Sequence, residues 1–262
     1  MIFSKLMESS QNWSAHAKDY ESKLGMLFQQ FIKDALIIAA KEIQNCNSTL
    51  DIASGTGAFT ELLAEQPQLQ VTASDFSESM LSILSSKPYS KKLINVICVD
   101  GQTLNGIPDN QFSLVTSSFG IPLFESPEMG WSSANRVLAK DGILIAISWK
   151  SDSQFLLFLD SFGPGSSKVN RNFDKLGLEY ELGMAGFQNI RVYSTSHDLV
   201  FESGQRFMST LHTNPYFMSI TQSMSKEDIL QQAAQFFNKS LTNFLDEPVI
   251  VTGTCLICVA KK

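Results

Sequence analysis

The sequence predicts an α/β fold, a doubly wound parallel sheet with helices on both faces. Three observations carry that prediction. Short apolar runs, Thr49 to Ala53, Val71 to Ser74, Ile94 to Val99, Ser113 to Ser117 and Ile143 to Trp149, alternate with longer helical or turn-rich stretches. Such alternation marks parallel strands joined by crossover helices, which right-handed connections place on both sides of the sheet. A turn containing Gly55 and Gly57 follows the first run, and Asp75 and Asp100 close the second and third. Ligands of these sheets sit beyond the carboxyl ends of the strands, so all four residues belong to one edge.

The remaining elements follow in order. Trp13, Ala17, Tyr20 and Leu24 recur at helical spacing, and Phe28, Phe31, Ala35 and Ile38 continue the pattern until the turn residues Asn45 to Ser48. After Trp149 the alternation weakens. Gly163 to Ser167 reads as a mobile loop or broken helix, Leu176 to Gly186 as a helix and Ile190 to Ser194 as a strand. Glu202 to Asn214 and Ser225 to Phe244 read as two helices, the second opening with Ser-Lys-Glu-Asp, which suits an N-cap and the helix dipole. An apolar strand, Val249 to Ala260, closes the chain.

Composition narrows the function. Of the 262 residues, 44% are hydrophobic and 18% charged, the balance of a folded globular chain. Lys plus Arg number 20 against 26 Asp plus Glu, a net charge of -6. That deficit argues against a nucleic-acid face, because phosphate binding depends on Lys and Arg displacing counterions. No apolar run approaches the roughly 20 residues of a membrane span, and the N-terminus lacks the apolar stretch of a secretory signal. Four cysteines in a chain this long do not make a disulfide framework, which points to the cytosol. Cys255-x-x-Cys258 lies within an apolar strand, where residues three apart face opposite sides. Buried small hydrophobes fit that pair better than a metal site.

The chemistry is concentrated in Leu50-Asp51-Ile52-Ala53-Ser54-Gly55-Thr56-Gly57-Ala58-Phe59-Thr60. Gly55 and Gly57 permit a tight turn and close approach of a ligand to backbone. Asp75, 24 residues after Asp51, is placed to accept hydrogen bonds from a ribose diol. With Asp100 at the end of the third strand, the set forms a site for a ribosylated base. A dinucleotide would call for a Gly-x-Gly-x-x-Gly loop, which is absent. Asp51 instead suits a cofactor with an ammonium group and no phosphates.

These residues resemble the first motif of class I S-adenosylmethionine-dependent methyltransferases, in the form common in the ubiquinone/menaquinone-biosynthesis-like (methyltransferase type 11 or 25) group. Asp75 to Met80 resembles the second motif and Val99-Asp100-Gly101 the third. Phe112 to Phe119 is similar to the family's fourth strand, Arg136 to Ile143 to the turn before the fifth, and Ala185-Gly186-Phe187 to the segment preceding the sixth. Ala53 replaces the first loop glycine, Ser113 stands where an acidic residue is usual, and Ser133 to Asn135 lacks the family's glutamate.

The resemblance implies a Rossmann-like doubly wound seven-stranded sheet with the last strand antiparallel, an N-terminal helical lid and a small helical cap. As one globular unit, the chain would divide into a lid (1–48), a cofactor-binding core (49–150) and a sheet-completing part (151–262) with the cap at about 200–246. It further implies S-adenosyl-L-methionine as cofactor. Gly55 and Gly57 would face its methionine part, the Ala53 carbonyl and Asp51 its ammonium, and Asp75 the ribose. Phe76 and Met80 would flank the adenine, while Asp100 with Gly101 would meet its amino group and Ser117 and Ser118 would lie below the sulfonium. Tyr20 would close over the methionine end, or else simply pack the helix.

Methyl transfer from a sulfonium is an in-line displacement, driven chiefly by holding donor and acceptor together. An oxygen or nitrogen acceptor also calls for a base. His212, in the insertion between the last two strands, and His16, one turn before Tyr20, are the candidates. His197 beside Asp198 reads as a local pair, and each lone histidine also has an ordinary surface or core reading. Phe155, Phe158, Phe162, Phe207, Met208, Phe217 and Met218 would line an apolar acceptor pocket or pack the cap. The sequence therefore points to a methyltransferase acting on a small apolar or aromatic acceptor, with no nucleic-acid partner, no membrane insertion and no indication of oligomeric state. A non-catalytic S-adenosylmethionine-binding partner and a nicotinamide oxidoreductase are the rival readings.

Overall fold

A computed structural model describes residues 10–23, 28–88, 94–163 and 174–262. Leu24 and the segment Pro164 to Ser167, for which helix and loop were expected, lie outside the described residues. Helices α1 (Ser10–Lys23), α2 (Gln29–Ile38) and α3 (Ala40–Ile43) precede β1 (Ser48–Ile52). Then come α4 (Ala58–Ala64), β2 (Gln70–Asp75), α5 (Glu78–Ser86), β3 (Ile94–Cys98), β4 (Phe112–Ser118), α6 (Pro127–Val137) and β5 (Leu138–Trp149). Helices α7 (Gln154–Asp160) and α8 (Lys175–Met184) lead to β6 (Gln188–Phe201). Four helices, α9 (Gly204–Leu211), α10 (Pro215–Thr221), α11 (Lys226–Phe236) and α12 (Leu241–Asp246), are inserted before β7 (Val249–Lys261).

The strands form one sheet in the order β3-β2-β1-β4-β5-β7-β6. β1 pairs in parallel with β2 and β4, so the strand order reverses beside it. β7 alone runs against its neighbours, antiparallel to both β5 and β6. The sheet is thus the seven-stranded Rossmann-like one expected, with the last strand antiparallel.

Strand pleating divides the core in two. Ile145, Ile147 and Trp149 of β5 join Phe31, Phe59, Leu63 and Phe158 on one face. Leu144 and Ala146 join Leu50, Ile52, Val115 and Trp131 on the other. Both faces being covered explains why these strands read as continuous apolar runs. Cys255 packs in the first cluster and Cys258 in the second, each a free thiol. Burial pushes both thiols up from their ordinary range.

Several boundaries differ from the sequence pattern. β6 is far longer than Ile190 to Ser194, because its inner edge pairs with β7 from Arg191 to Phe201. The single helix expected over Ser225 to Phe244 is broken. Asn238 adopts a left-handed φ of 52°, which ends α11, and the Ser240 hydroxyl accepts from Asn243 N (3.2 Å) to start α12. Helix α10 was not among the expected elements, and Pro215 opens it. Here it occupies the first helical turn behind an Asn214 cap. His197 does not pair with Asp198. Its Nε2 donates to Asp34 of α2 at 2.7 Å, while Asp198 accepts from Thr252 at 2.8 Å.

Candidate functional site

The carboxyl ends of β1, β2 and β4 open into a cavity of about 530 Å³, a volume usual for small-molecule sites. Its floor is the turn after β1. Ala53 and Gly55 both take φ of 54°, and Gly57 takes 97°. A methyl group built on Gly55 would meet nothing within 4 Å, so this glycine presents bare backbone to the cavity. Gly57 serves the turn itself, donating its N–H to the Ser54 carbonyl at 2.9 Å, and does not line the cavity. The Ser54 hydroxyl is buried at the cavity wall without a hydrogen-bond partner among the described residues.

Two buried aspartates flank this turn. Asp51 lies opposite Thr116 in the β1–β4 ladder, and its carboxylate accepts from the Thr116 (2.7 Å) and Thr60 (2.6 Å) hydroxyls. Burial pushes its pKa up to about 6, because the two hydroxyls only partly offset the lost water and the Asp75 charge adds to the rise. At the end of β2, Asp75 accepts from Gly55 N and Ser77 N, each at 2.9 Å. Burial pushes this carboxyl up to about 6 as well, against those backbone donors. Each Asp75 oxygen retains a second lone pair. Phe76 and Met80 lie alongside, and Asp100, exposed at the rim, accepts from Gln102 N at 2.8 Å.

The far side of the cavity is aromatic. The Phe119 and Trp149 ring centroids are 4.6 Å apart, Trp149 and Phe155 4.8 Å, and Phe28 and Phe119 5.2 Å. Phe119 holds a left-handed φ of 54° while its N–H donates to Ile147 at 2.9 Å, which fixes the ring over the end of β5. Helix α1 covers another side with Trp13 and Tyr20, their rings edge to face at 5.8 Å. Burial, with the charges of Asp75 and Glu21, raises the Tyr20 hydroxyl above its ordinary range. Lys87, after α5, ties α1 down by bridging Glu21 (2.6 Å) and Glu61 (2.5 Å), and Ser14 hydrogen-bonds Ser77 at 2.8 Å. From the inserted helices, Asn214 reaches the cavity. The charged residues lining it, Asp51, Asp75, Asp100 and Glu125, are all acidic.

Of the residues singled out in the sequence, Tyr20, Asp51, Ala53, Gly55, Asp75, Phe76, Met80, Asp100 and Gly101 line this one cavity. Ser117 does not: strand alternation turns it away, and its hydroxyl accepts from Ile121 N at 3.2 Å, leaving Ser118 at the wall. Neither His16 nor His212 lines the cavity. His212 caps α9, its Nδ1 donating to the Met208 carbonyl at 2.7 Å and its ring edge-on to Phe217. Of the cap aromatics only Phe155 reaches the cavity, whereas Phe158, Phe162, Phe207 and Phe217 fill the core. Phe28, Phe119, Trp149 and Asn214 line the cavity but were not singled out as site residues. Phe119 and Trp149 follow the ends of β4 and β5, so the strand-end rule that located Asp75 would have found them too.

A methyltransferase domain family model matches residues 50–146, the stretch that supplies β1 through most of β5 and the floor of the cavity. Over this segment the chain is similar to a methyltransferase domain. The demethylmenaquinone methyltransferase of Deinococcus radiodurans is 34% identical to it over 102 residues, 38% of this chain and 42% of that protein. The chain spans somewhat less than half the length of such curated relatives. The domain's fold is shared with phosphoethanolamine N-methyltransferase 2 of Haemonchus contortus, solved with phosphomonomethylethanolamine and S-adenosylhomocysteine. The TM-score is 0.58 at 16% identity, over 99% of this chain and 60% of that one. It is shared equally with the [4+2]-cyclase SpnF, at a TM-score of 0.53 and 17% identity over 88% and 81%.

Proposed function

We propose that the chain binds S-adenosylmethionine in this cavity and transfers its methyl group in line to a small, uncharged, apolar or aromatic acceptor. The observation that carries the proposal is the meeting of Asp75, bare Gly55 backbone and Asp100 with an aromatic wall in one cavity. The residues present fit such a cofactor. Gly55 leaves open space where a side chain would stand, Ser54 offers an unpartnered hydroxyl, and the Asp75 oxygens keep lone pairs for a diol. The acidic lining suits a ligand bearing an ammonium and a sulfonium. When bound, the cofactor supplies an electrophilic methyl group.

The chain's own residues do the rest. Asp75 holds the ribose, Phe76 and Met80 flank the base, and Asp100 accepts from it. Asp51 and the Ala53 carbonyl face the ammonium. Tyr20 and Trp13, on the tethered α1, close that half against water, which strengthens the electrostatic hold. The aromatic wall fixes the acceptor, so orientation supplies most of the acceleration. No histidine lines the cavity, so proximity rather than a histidine base drives transfer. The free cysteines fit a reducing compartment such as the cytosol, and no described helix is long and apolar enough to cross a membrane.

Calorimetric titration with S-adenosylhomocysteine tests the cofactor assignment. Wild-type protein binds it, and Asp75→Ala weakens binding by about 1 to 3 kcal/mol, the cost of hydrogen bonds lost to a charged acceptor. Binding of NAD in place of S-adenosylhomocysteine would overturn it. A second reading, cofactor binding without methyl transfer, draws support from the cavity's lack of a histidine base. Transfer of labelled methyl to a panel of acceptors separates the two.

A further inference from the structure

We infer that Asn214 is the donor that positions the acceptor, and that the cavity selects an uncharged acceptor carrying a hydrogen-bond-accepting atom while rejecting anions. This rests on the functional reading above. Asn214 is delivered to the cavity by the inserted helices, as the N-cap of α10, which packs on α1. Its Oδ1 accepts from Tyr216 N at 2.9 Å, and that bond completes the cap. The amide's two Nδ2 protons have no acceptor among the described residues. Capping needs only an acceptor, which Ser, Thr or Asp would provide equally well. The spare donor is therefore the feature that capping leaves unexplained, and Asn214 lines the same cavity as Phe28, Phe119, Trp149 and Phe155.

Charge sets the second half of the inference. Asp51, Asp75, Asp100 and Glu125 line the cavity, with no Lys, Arg or His among the described lining residues. An anionic acceptor brought here meets the Asp51 and Asp75 carboxylates in a partly desolvated space, and no Lys, Arg or His of the described lining offsets its charge. A neutral flat molecule meets the aromatic wall and the Asn214 amide without that penalty.

Three isosteric probes test this by calorimetry on the full chain, with and without S-adenosylhomocysteine: 2-acetylnaphthalene, 2-isopropylnaphthalene and 2-naphthoate. The carbonyl-bearing probe binds tightest, about tenfold better than its hydrocarbon counterpart, and 2-naphthoate is weakest. Asn214→Ser keeps the cap acceptor, so the melting temperature stays within about 2 °C. It abolishes the advantage of the carbonyl probe and leaves S-adenosylhomocysteine affinity unchanged. The proposal is overturned if Asn214→Ser retains that advantage, if 2-naphthoate binds as tightly as the ketone, or if no probe binds. Absence of S-adenosylhomocysteine binding alone would sink the cofactor reading, while the probe series without it still decides on Asn214.

Discussion

Replacing Asp51 by Asn isolates the energy stored in the cavity floor. The Asp51 carboxyl is pushed up to about 6 by burial, from an ordinary aspartate value of about 3.9. The folded protein therefore holds this proton to higher pH than the unfolded chain does. Wild-type stability falls as pH rises from about 4 through 6, and stays low above it. At about 1.36 kcal/mol per pH unit, the charged form costs the apo protein about 3 kcal/mol at pH 8 and about half that at pH 5. Asn has nothing to titrate. It also changes one hydrogen bond, since Thr60 and Thr116 both donate to the carboxylate and one must turn to accept, costing about 1 kcal/mol at any pH. Urea denaturation of both proteins at pH 5 and 8 reads the difference. The variant gains about 1 kcal/mol relative to wild type between those pH values, while its S-adenosylhomocysteine affinity drops. A pH-independent difference, or a gain toward acid, would refute the assignment of a buried charge held for ligand binding.

Two further substitutions separate the parts of the site. Gly55→Ala sets a side chain at φ +54° with nothing within 4 Å. Stability should fall by only about 1 kcal/mol, but S-adenosylhomocysteine affinity should drop about tenfold or more as the methyl enters the cavity; unchanged affinity means the ligand does not approach this backbone. Lys87→Met removes the bridge to Glu21 and Glu61, worth about 1 kcal/mol per ion pair at most. Stopped-flow measurements should show S-adenosylhomocysteine leaving a few times faster, and an unaltered off-rate would mean α1 does not govern release.

The β1 turn and the aspartates at the ends of β2 and β3 were legible in the sequence because their geometry is local. A strand, a left-handed glycine and a strand-terminal carboxylate each leave a signature within a few residues. The aromatic wall was not, because it is assembled across the fold. Phe28 comes from before α2, Phe119 from the end of β4, Trp149 from the end of β5 and Phe155 from α7. Nothing in the local pattern separates Phe28 and Phe155 from Phe158 or Phe207, which fill the core, whereas Phe119 and Trp149 stand at strand ends where the rule that located Asp75 applies. Histidine content misled in the same way. His197 is held by Asp34, 163 residues away in sequence and visible only once the chain has folded, while His212 turns back onto the Met208 carbonyl at the end of α9.

Strain follows the same edge as function. Ala53 and Phe119, at the ends of β1 and β4, both take left-handed φ values near 54°, each costing about 1 to 2 kcal/mol for a residue with a side chain. A Cβ on Gly120 would stand 2.6 Å from the Ala53 side chain, so the two strained loops are pressed together at the point where the strand order reverses. The β1 side of that junction carries the Asp51 and Asp75 carboxylates and the β4 side carries Phe119 of the aromatic wall. The two halves come from different elements, and they are joined there and through the Thr116 hydroxyl of β4, which donates to Asp51. A change in the aromatic wall need not disturb the turn after β1, which is compatible with the fold being shared by an N-methyltransferase and a [4+2]-cyclase. In this chain the wall is aromatic and the lining acidic, and that pairing, rather than the sheet, determines what the cavity admits.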